Sequence, residues 1–138
     1  MARYTMKTVA EEVGLPYETV KYYCKVGLTP RVARDANNYR VFDEHDVVWL
    51  SGLRCLKNCG MGIDQMLEYM ELCLQGEATI PERKTIMAAK RQEVEAKIAL
   101  LQETLDYIDA KQEFYRAVHA GEIPYESSLL APLQELDE

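Results

Sequence analysis

Long apolar runs are missing from this chain. No stretch approaches the 18 or so consecutive apolar residues a membrane-spanning helix needs. No apolar segment follows Met1-Ala2-Arg3-Tyr4, so no export signal is expected there. Glycine and proline are scarce, 7 and 5 in 138 residues, and the glycines sit at junctions, which points to a mainly helical protein. There is no glycine-rich phosphate cradle and no constellation of Ser, His and carboxylates, so an enzyme is not expected. Histidine is limited to His45 and His119, and the four cysteines (Cys24, Cys55, Cys59, Cys73) show no CxxC spacing. A soft-metal site within one chain is therefore not expected, and no cofactor is called for. Without an export signal, the cysteines read as reduced thiols of a cytoplasmic protein.

What is present is an uneven distribution of charge. The total is -7, but residues 1–42 carry seven Lys/Arg against four acids. The rest of the chain carries the acidic excess. A basic head on an acidic body can still bind phosphate, because ionic screening makes contact charges local.

In order along the chain, Thr5 caps a first helix with Val9, Ala10 and Val13 on its apolar stripe, ended by Gly14. Leu15-Pro16 turns into a second helix running from Tyr17 to about Val26, with Gly27 at its C-cap. Two short helices joined by a glycine-containing turn form a helix-turn-helix pattern. Tyr17-Glu18-Thr19-Val20-Lys21-Tyr22-Tyr23 would be its recognition helix. A basic loop follows, Arg31 to Asn38, with a turn signal at Ala36-Asn37-Asn38, and then the short strand Tyr39-Arg40-Val41-Phe42. This is a β-hairpin wing. Tyr23 and Phe42 read better as core anchors than as contacts, and Arg40 has Asp46 as a candidate partner.

Asp43 caps a third helix, a fourth begins near Gly62 or Asp64, and Thr79-Ile80-Pro81-Glu82 resembles a capping box opening a fifth. Beyond Pro81, Val94, Ile98, Leu101, Leu105 and Ile108 recur at 3-4 spacing, with Met87 and Tyr115 in the same series and Arg91 and Gln112 interrupting it. That seam argues for a coiled coil. A helix of about 35 residues spans about 50 Å, more than the remaining chain can cover, so a second copy is the simpler cover.

Taken together, these segments resemble the MerR family of bacterial transcriptional regulators. The resemblance rests on Tyr4-Thr5-Met6-Lys7-Thr8-Val9-Ala10, Thr19-Val20-Lys21-Tyr22-Tyr23, Val26-Gly27-Leu28-Thr29-Pro30, Asn38-Tyr39-Arg40-Val41-Phe42 and Gly60-Met61-Gly62-Ile63. It implies a winged helix-turn-helix head with a helical linker (1–75), a dimerisation helix forming an antiparallel coiled coil (79–116) and an acidic tail (117–138). It further implies a homodimer on a palindromic promoter element, acting on RNA polymerase by distorting double-stranded DNA. Lys7, Thr19, Lys21, Tyr22, Arg31, Arg34, Asn38, Tyr39 and Arg40 match the DNA-contacting positions. Lys21 replaces the family's usual Arg and loses its bidentate fork, and Cys24 replaces an acid.

Around Arg54-Cys55-Leu56-Lys57-Asn58-Cys59-Gly60-Met61, the chain looks like the aldehyde- and nitrosative-stress (AdhR/NmlR-like) branch. Cys55 is the candidate sensor thiol, with Cys59 one turn on as a candidate second thiol. Arg54 and Lys57 would favour a thiolate at Cys55, whereas the nearby helix C-terminus opposes it. The competing reading of all four thiols is as small buried hydrophobes. The competing function is a protein-interaction or architectural coiled coil without effector sensing, against which the basic wing argues.

Overall fold

The computed structural model describes residues 3–130. It is mainly helical: α1 (Met6–Val13), α2 (Tyr17–Val26), β1 (Ala33–Arg34), β2 (Arg40–Val41), α3 (Glu44–Asn58), α4 (Ile63–Leu74), a 3₁₀ turn (Gly76–Thr79) and the long α5 (Ile80–His119). By internal contacts the chain falls into two units, Met1–Val94 and Glu95–Glu138.

The first unit is held by an apolar core to which every head helix contributes. Val9, Ala10 and Val13 come from α1, Val20 and Tyr23 from α2, Leu50 and Leu53 from α3, and Met66 and Met70 from α4. Leu28 and Phe42, both fully buried, tie the segments flanking the hairpin to the same core. Tyr23 and Phe42 are therefore core anchors, as their sequence context suggested. Ile86 and Met87 of α5 pack against this core as well.

Local chemistry sets the helix ends. Thr5 Oγ1 accepts from Thr8 N–H at 3.1 Å while Thr8 Oγ1 accepts from Thr5 N–H at 2.8 Å, a reciprocal cap. Gly14 and Gly27 take φ of 74° and 92°, left-handed values that a β-carbon would strain, and so end α1 and α2. Asp43 and Asp46 cap α3 reciprocally, at 3.0 and 2.9 Å.

One expected cap takes a different form. Thr79 does not cap α5 by accepting a backbone N–H of its first turn. Its hydroxyl donates to the carbonyls of Leu72 and Gly76 and accepts from Arg83 Nε at 3.1 Å. The 3₁₀ turn already leads into α5, and the Leu72 carbonyl, which accepts the Gln75 N–H at 3.2 Å, takes the hydroxyl as a further donor.

In the second unit, Arg116 joins Glu113 at 2.7 Å and Glu122 at 2.9 Å. Those bonds hold the Glu113 carboxyl below its usual range and raise the Arg116 guanidinium further. Phe114 meets Tyr115 and Tyr125 with ring centroids 5.8 and 6.3 Å apart. Ile98, Leu101, Leu105 and Ile108 are between 46% and 63% exposed in the single chain. Of the apolar tail residues, Leu129 and Leu130 are exposed and Leu133 lies outside the described residues. Among the described residues, no helix is long and apolar enough to cross a membrane.

Candidate nucleic-acid interface

The wing is an antiparallel pair with Ala33 opposite Val41 and Arg34 opposite Arg40. Its tip is built by Asp35 and Asn38. Asp35 Oδ1 accepts from the Asn37 and Tyr39 N–H groups at 2.9 and 3.0 Å, and Asn38 supplies the left-handed residue, φ 65°. Arg34 Nη1 donates to the Asn38 carbonyl at 2.8 Å.

A second tie joins the wing to the head. Tyr4 and Phe42 exchange two backbone hydrogen bonds of 2.8 Å, extending the wing by one bridge to the segment that enters α1. Tyr4 Oη donates to Glu44 Oε1 at 2.9 Å, and that bond is the main cause of its raised pKa. The bridge brings the start of the chain beside the wing.

Between wing, chain start and α2 lies an open groove of about 670 Å³. It collects Arg3 and Lys7 from the start of the chain, Tyr17 and Lys21 from α2, and Arg34, Asn38, Tyr39 and Arg40 from the wing. Five cations thus line one surface with a single acid, Asp35, whose Oδ1 is already engaged by the wing tip. Arg34 and Arg40 stand directly opposite each other, an arrangement that costs free energy on a sheet unless an anion relieves it. Tyr39 is 71% exposed at the rim.

The remaining candidates fall elsewhere. Val20 and Tyr23 turn into the core and divide the exposed surface of α2. Thr19 and Tyr22 line a second open groove of about 400 Å³ with Lys57, Met61 and Ile63. Arg31 lies outside both grooves and lines smaller cavities beside Asp46. No ion pair joins Arg40 to Asp46 among the described residues. The cation that reaches these two carboxylates is Arg31, whose charge is a minor lowering influence beside the Asp46 N–H hydrogen bond at Asp43 and is outweighed by burial at Asp46. The reason is topological: Arg40 sits on β2 opposite Arg34, whereas Arg31, between α2 and the wing, lines the cavities that Asp46 also lines. Asp46 is 5% exposed, and burial raises its carboxyl pKa; Asp43, which accepts the Asp46 N–H, is held low.

Arg3 and Tyr17 are not among the DNA-contacting positions named from the sequence, although Tyr17 opens the recognition-helix stretch. The signal for Tyr17 was its i, i+4 spacing from Lys21. Arg3 joins the groove only through the Tyr4–Phe42 bridge, which no local pattern announces.

Cys55 is exposed on α3. Cys59 is half-buried, with its Sγ donating to the Leu56 carbonyl at 3.1 Å. Arg54 extends toward the end of α1: a β-carbon on Gly14 would come within 2.8 Å of its Nη1. Among the described residues, no group of three or more His, Cys, Asp or Glu side chains could hold a metal ion.

Comparison with known proteins agrees with this geometry. The family model described as MerR HTH family regulatory protein matches residues 4–73, and one described as MerR, DNA binding matches residues 47–111. An uncharacterized HTH-type transcriptional regulator of Haemophilus influenzae is 37% identical over 117 residues, 85% of this chain and 87% of that protein. The HTH-type transcriptional regulator AdhR of Bacillus subtilis is 39% identical over 84 residues, 61% of this chain and 60% of its own length. Among solved structures, HiNmlR superposes with a TM-score of 0.81 at 36% identity, covering 86% of this chain and 90% of that one. It is described as a MerR family regulator lacking the sensor domain, bound to promoter DNA.

Proposed function

Since the chain belongs to the MerR family of DNA-binding transcription regulators, we propose that it binds a palindromic promoter element as a homodimer and controls RNA polymerase there by distorting the DNA in response to a stress signal. The observation that carries this reading is the groove. Lys7, Lys21, Arg34 and Arg40 converge beside the exposed flank of α2, and the opposed Arg34–Arg40 pair is relieved by a phosphate. Arg3 and Tyr17 add to the same surface, while Thr19, Tyr22 and Arg31 would meet DNA outside that groove.

The pairing element is the seam of Val94, Ile98, Leu101, Leu105 and Ile108 on the dimerisation helix, in an antiparallel coiled coil. Its support is the exposure of four of these five residues in the isolated chain. The organisation proposed is 1–75 for the DNA-binding head with its linker, 79–116 for the coiled coil and 117–138 for the acidic tail, in a cytoplasmic protein.

Cys55 is the proposed sensor. It is exposed where α3 approaches its turn into α4, so a covalent adduct there bears on that junction. With an aldehyde, the thiolate adds to the carbonyl carbon and a proton is taken up by the oxygen, leaving a hemithioacetal without any leaving group. Cys59 is the second thiol, within one turn but half-buried.

Transcription from the bound promoter, with and without formaldehyde or methylglyoxal, tests the whole reading. Induction that Cys55→Ser abolishes while operator binding persists supports it. Induction that survives in Cys55→Ser removes the sensor, and absence of any sequence-specific binding at low salt leaves only the architectural coiled-coil reading.

A further inference from the structure

Two side chains of α2 reach the cation-lined groove, Tyr17 and Lys21, one turn apart on the same flank of the helix. They offer different chemistry. Lys21 is one of five cations suited to phosphate, whereas Tyr17 is a phenol with no positive charge to give. Phosphate contacts position a protein on a duplex, and sequence is read by groups that meet base edges. The groove is rich in the first kind and poor in the second. Of its uncharged side chains, Tyr4 is committed to Glu44, Thr5 to the cap of α1, and Met6 packs on the core.

Position favours Tyr17 as the reader. It is the first residue of α2, directly after Pro16, and it is 46% exposed. A recognition helix meets base edges through its N-terminal residues. Lys21 stands one turn further from that end. Val20 and Tyr23 are buried and fix the helix in the core, so Tyr17 is held at a defined place while its ring stays open. Tyr39 is the other exposed aromatic of the groove, but it sits on the hairpin between Asn38 and Arg40, among the groups suited to backbone.

Ring chemistry narrows what is read. In the major groove, thymine presents a methyl group that the other three bases lack, and an aromatic ring gains free energy by removing that methyl from water. We propose that Tyr17 is the specificity-determining residue of α2, and that it selects a thymine in each half-site by packing its ring against the 5-methyl group. The assignment rests on the promoter-binding reading and names the base which that site reads. Arg3, Lys7, Lys21, Arg34 and Arg40 then hold the backbone irrespective of sequence, and Tyr17 distinguishes thymine from cytosine at one position.

The full-length protein first selects a binding sequence from random duplex DNA. Each thymine of that sequence is then replaced by deoxyuridine, which removes the methyl group and keeps the base pair. At one thymine, wild-type affinity should fall about fourfold for each half-site changed, the worth of one buried methyl. Tyr17→Ala should bind thymine and uracil equally at that position, keep its discrimination at the others, and retain the wild-type salt slope and thermal melt. Tyr17→Phe should keep the fourfold ratio, because the ring carries it. Tyr39→Ala should weaken the two duplexes alike. Absence of any thymine sensitive to the exchange, an undiminished ratio at every thymine in Tyr17→Ala, a shallower salt slope in that variant, or loss of the ratio in Tyr17→Phe or Tyr39→Ala would each overturn the assignment while leaving DNA binding intact. A random pool that yields no enriched sequence would overturn the promoter-binding reading, and this assignment with it.

Discussion

Replacing Lys21 with Ala should lower the salt dependence of operator binding by a definite amount. Five cations line the groove in one chain: Arg3, Lys7, Lys21, Arg34 and Arg40. In a dimer that places about ten cations against phosphates. Each phosphate neutralised contributes about 0.9 to the slope of log affinity against log salt, for a total near -9. Lys21→Ala removes one cation per subunit, so the slope should become shallower by about 1.8. Across a fourfold change in salt, the variant should therefore lose about 12-fold less affinity than the wild type does. The assay is fluorescence anisotropy of a labelled operator at salt concentrations from about 50 to 200 mM, with Lys84→Ala as control. Lys84 is exposed on α5 and does not line the groove. An unchanged slope in Lys21→Ala, or an equal loss of slope in Lys84→Ala, would refute the assignment of the groove to phosphate.

Three further outcomes follow from the same geometry. Phe42→Ala should destabilise the head by about 3–5 kcal/mol, measured by urea denaturation, because the ring is fully buried and its backbone carries the bridge to Tyr4. Changing Leu101 and Leu105 together to Lys should shift the sedimentation mass from dimer to monomer while the far-ultraviolet spectrum stays helical; an unchanged mass would remove the seam from the interface. The two capping aspartates should oppose each other in acid. Asp43 titrates below its unfolded value of about 3.9, so its contribution is present above that value and is lost as pH falls through the folded pKa. Asp46 titrates above its own unfolded value, so its contribution is complete below about 3.9 and is lost as pH rises through the folded pKa. Asp46→Asn leaves only the Asp43 component, and chemical denaturation between about pH 5 and 2 should show a steeper loss of stability than in the wild type.

Much of the head was legible from local chemistry alone. The ends of α1, α2 and α3 follow from Thr5, Gly14, Gly27 and Asp43, whose capping and left-handed preferences act within one turn of the chain. The wing tip follows from Asn38 in the Ala36-Asn37-Asn38 turn for the same reason, whereas the bonds to Asp35 were not read from the sequence. The apolar seam of α5 is a periodicity, and periodicity survives without any knowledge of what it packs against.

Tertiary structure decided the rest, because it depends on which distant residues meet. The division of the recognition-helix surface into a Lys21 flank and a Thr19–Tyr22 flank depends on how Val20 and Tyr23 are seated in the core. The recruitment of Arg3 depends on the Tyr4–Phe42 bridge, a pairing 38 positions apart in the chain. The exchange of Arg40 for Arg31 near Asp46 turns on wing register, which places Arg40 opposite Arg34. The reversal of the Thr79 hydroxyl reflects acceptors on the preceding segment, the carbonyls of Leu72 and Gly76, a demand set by the neighbouring backbone and absent from the capping pattern itself. Sequence by itself therefore determined the elements and their caps, whose forces are short-ranged. Only the packed chain decided which charges share a surface.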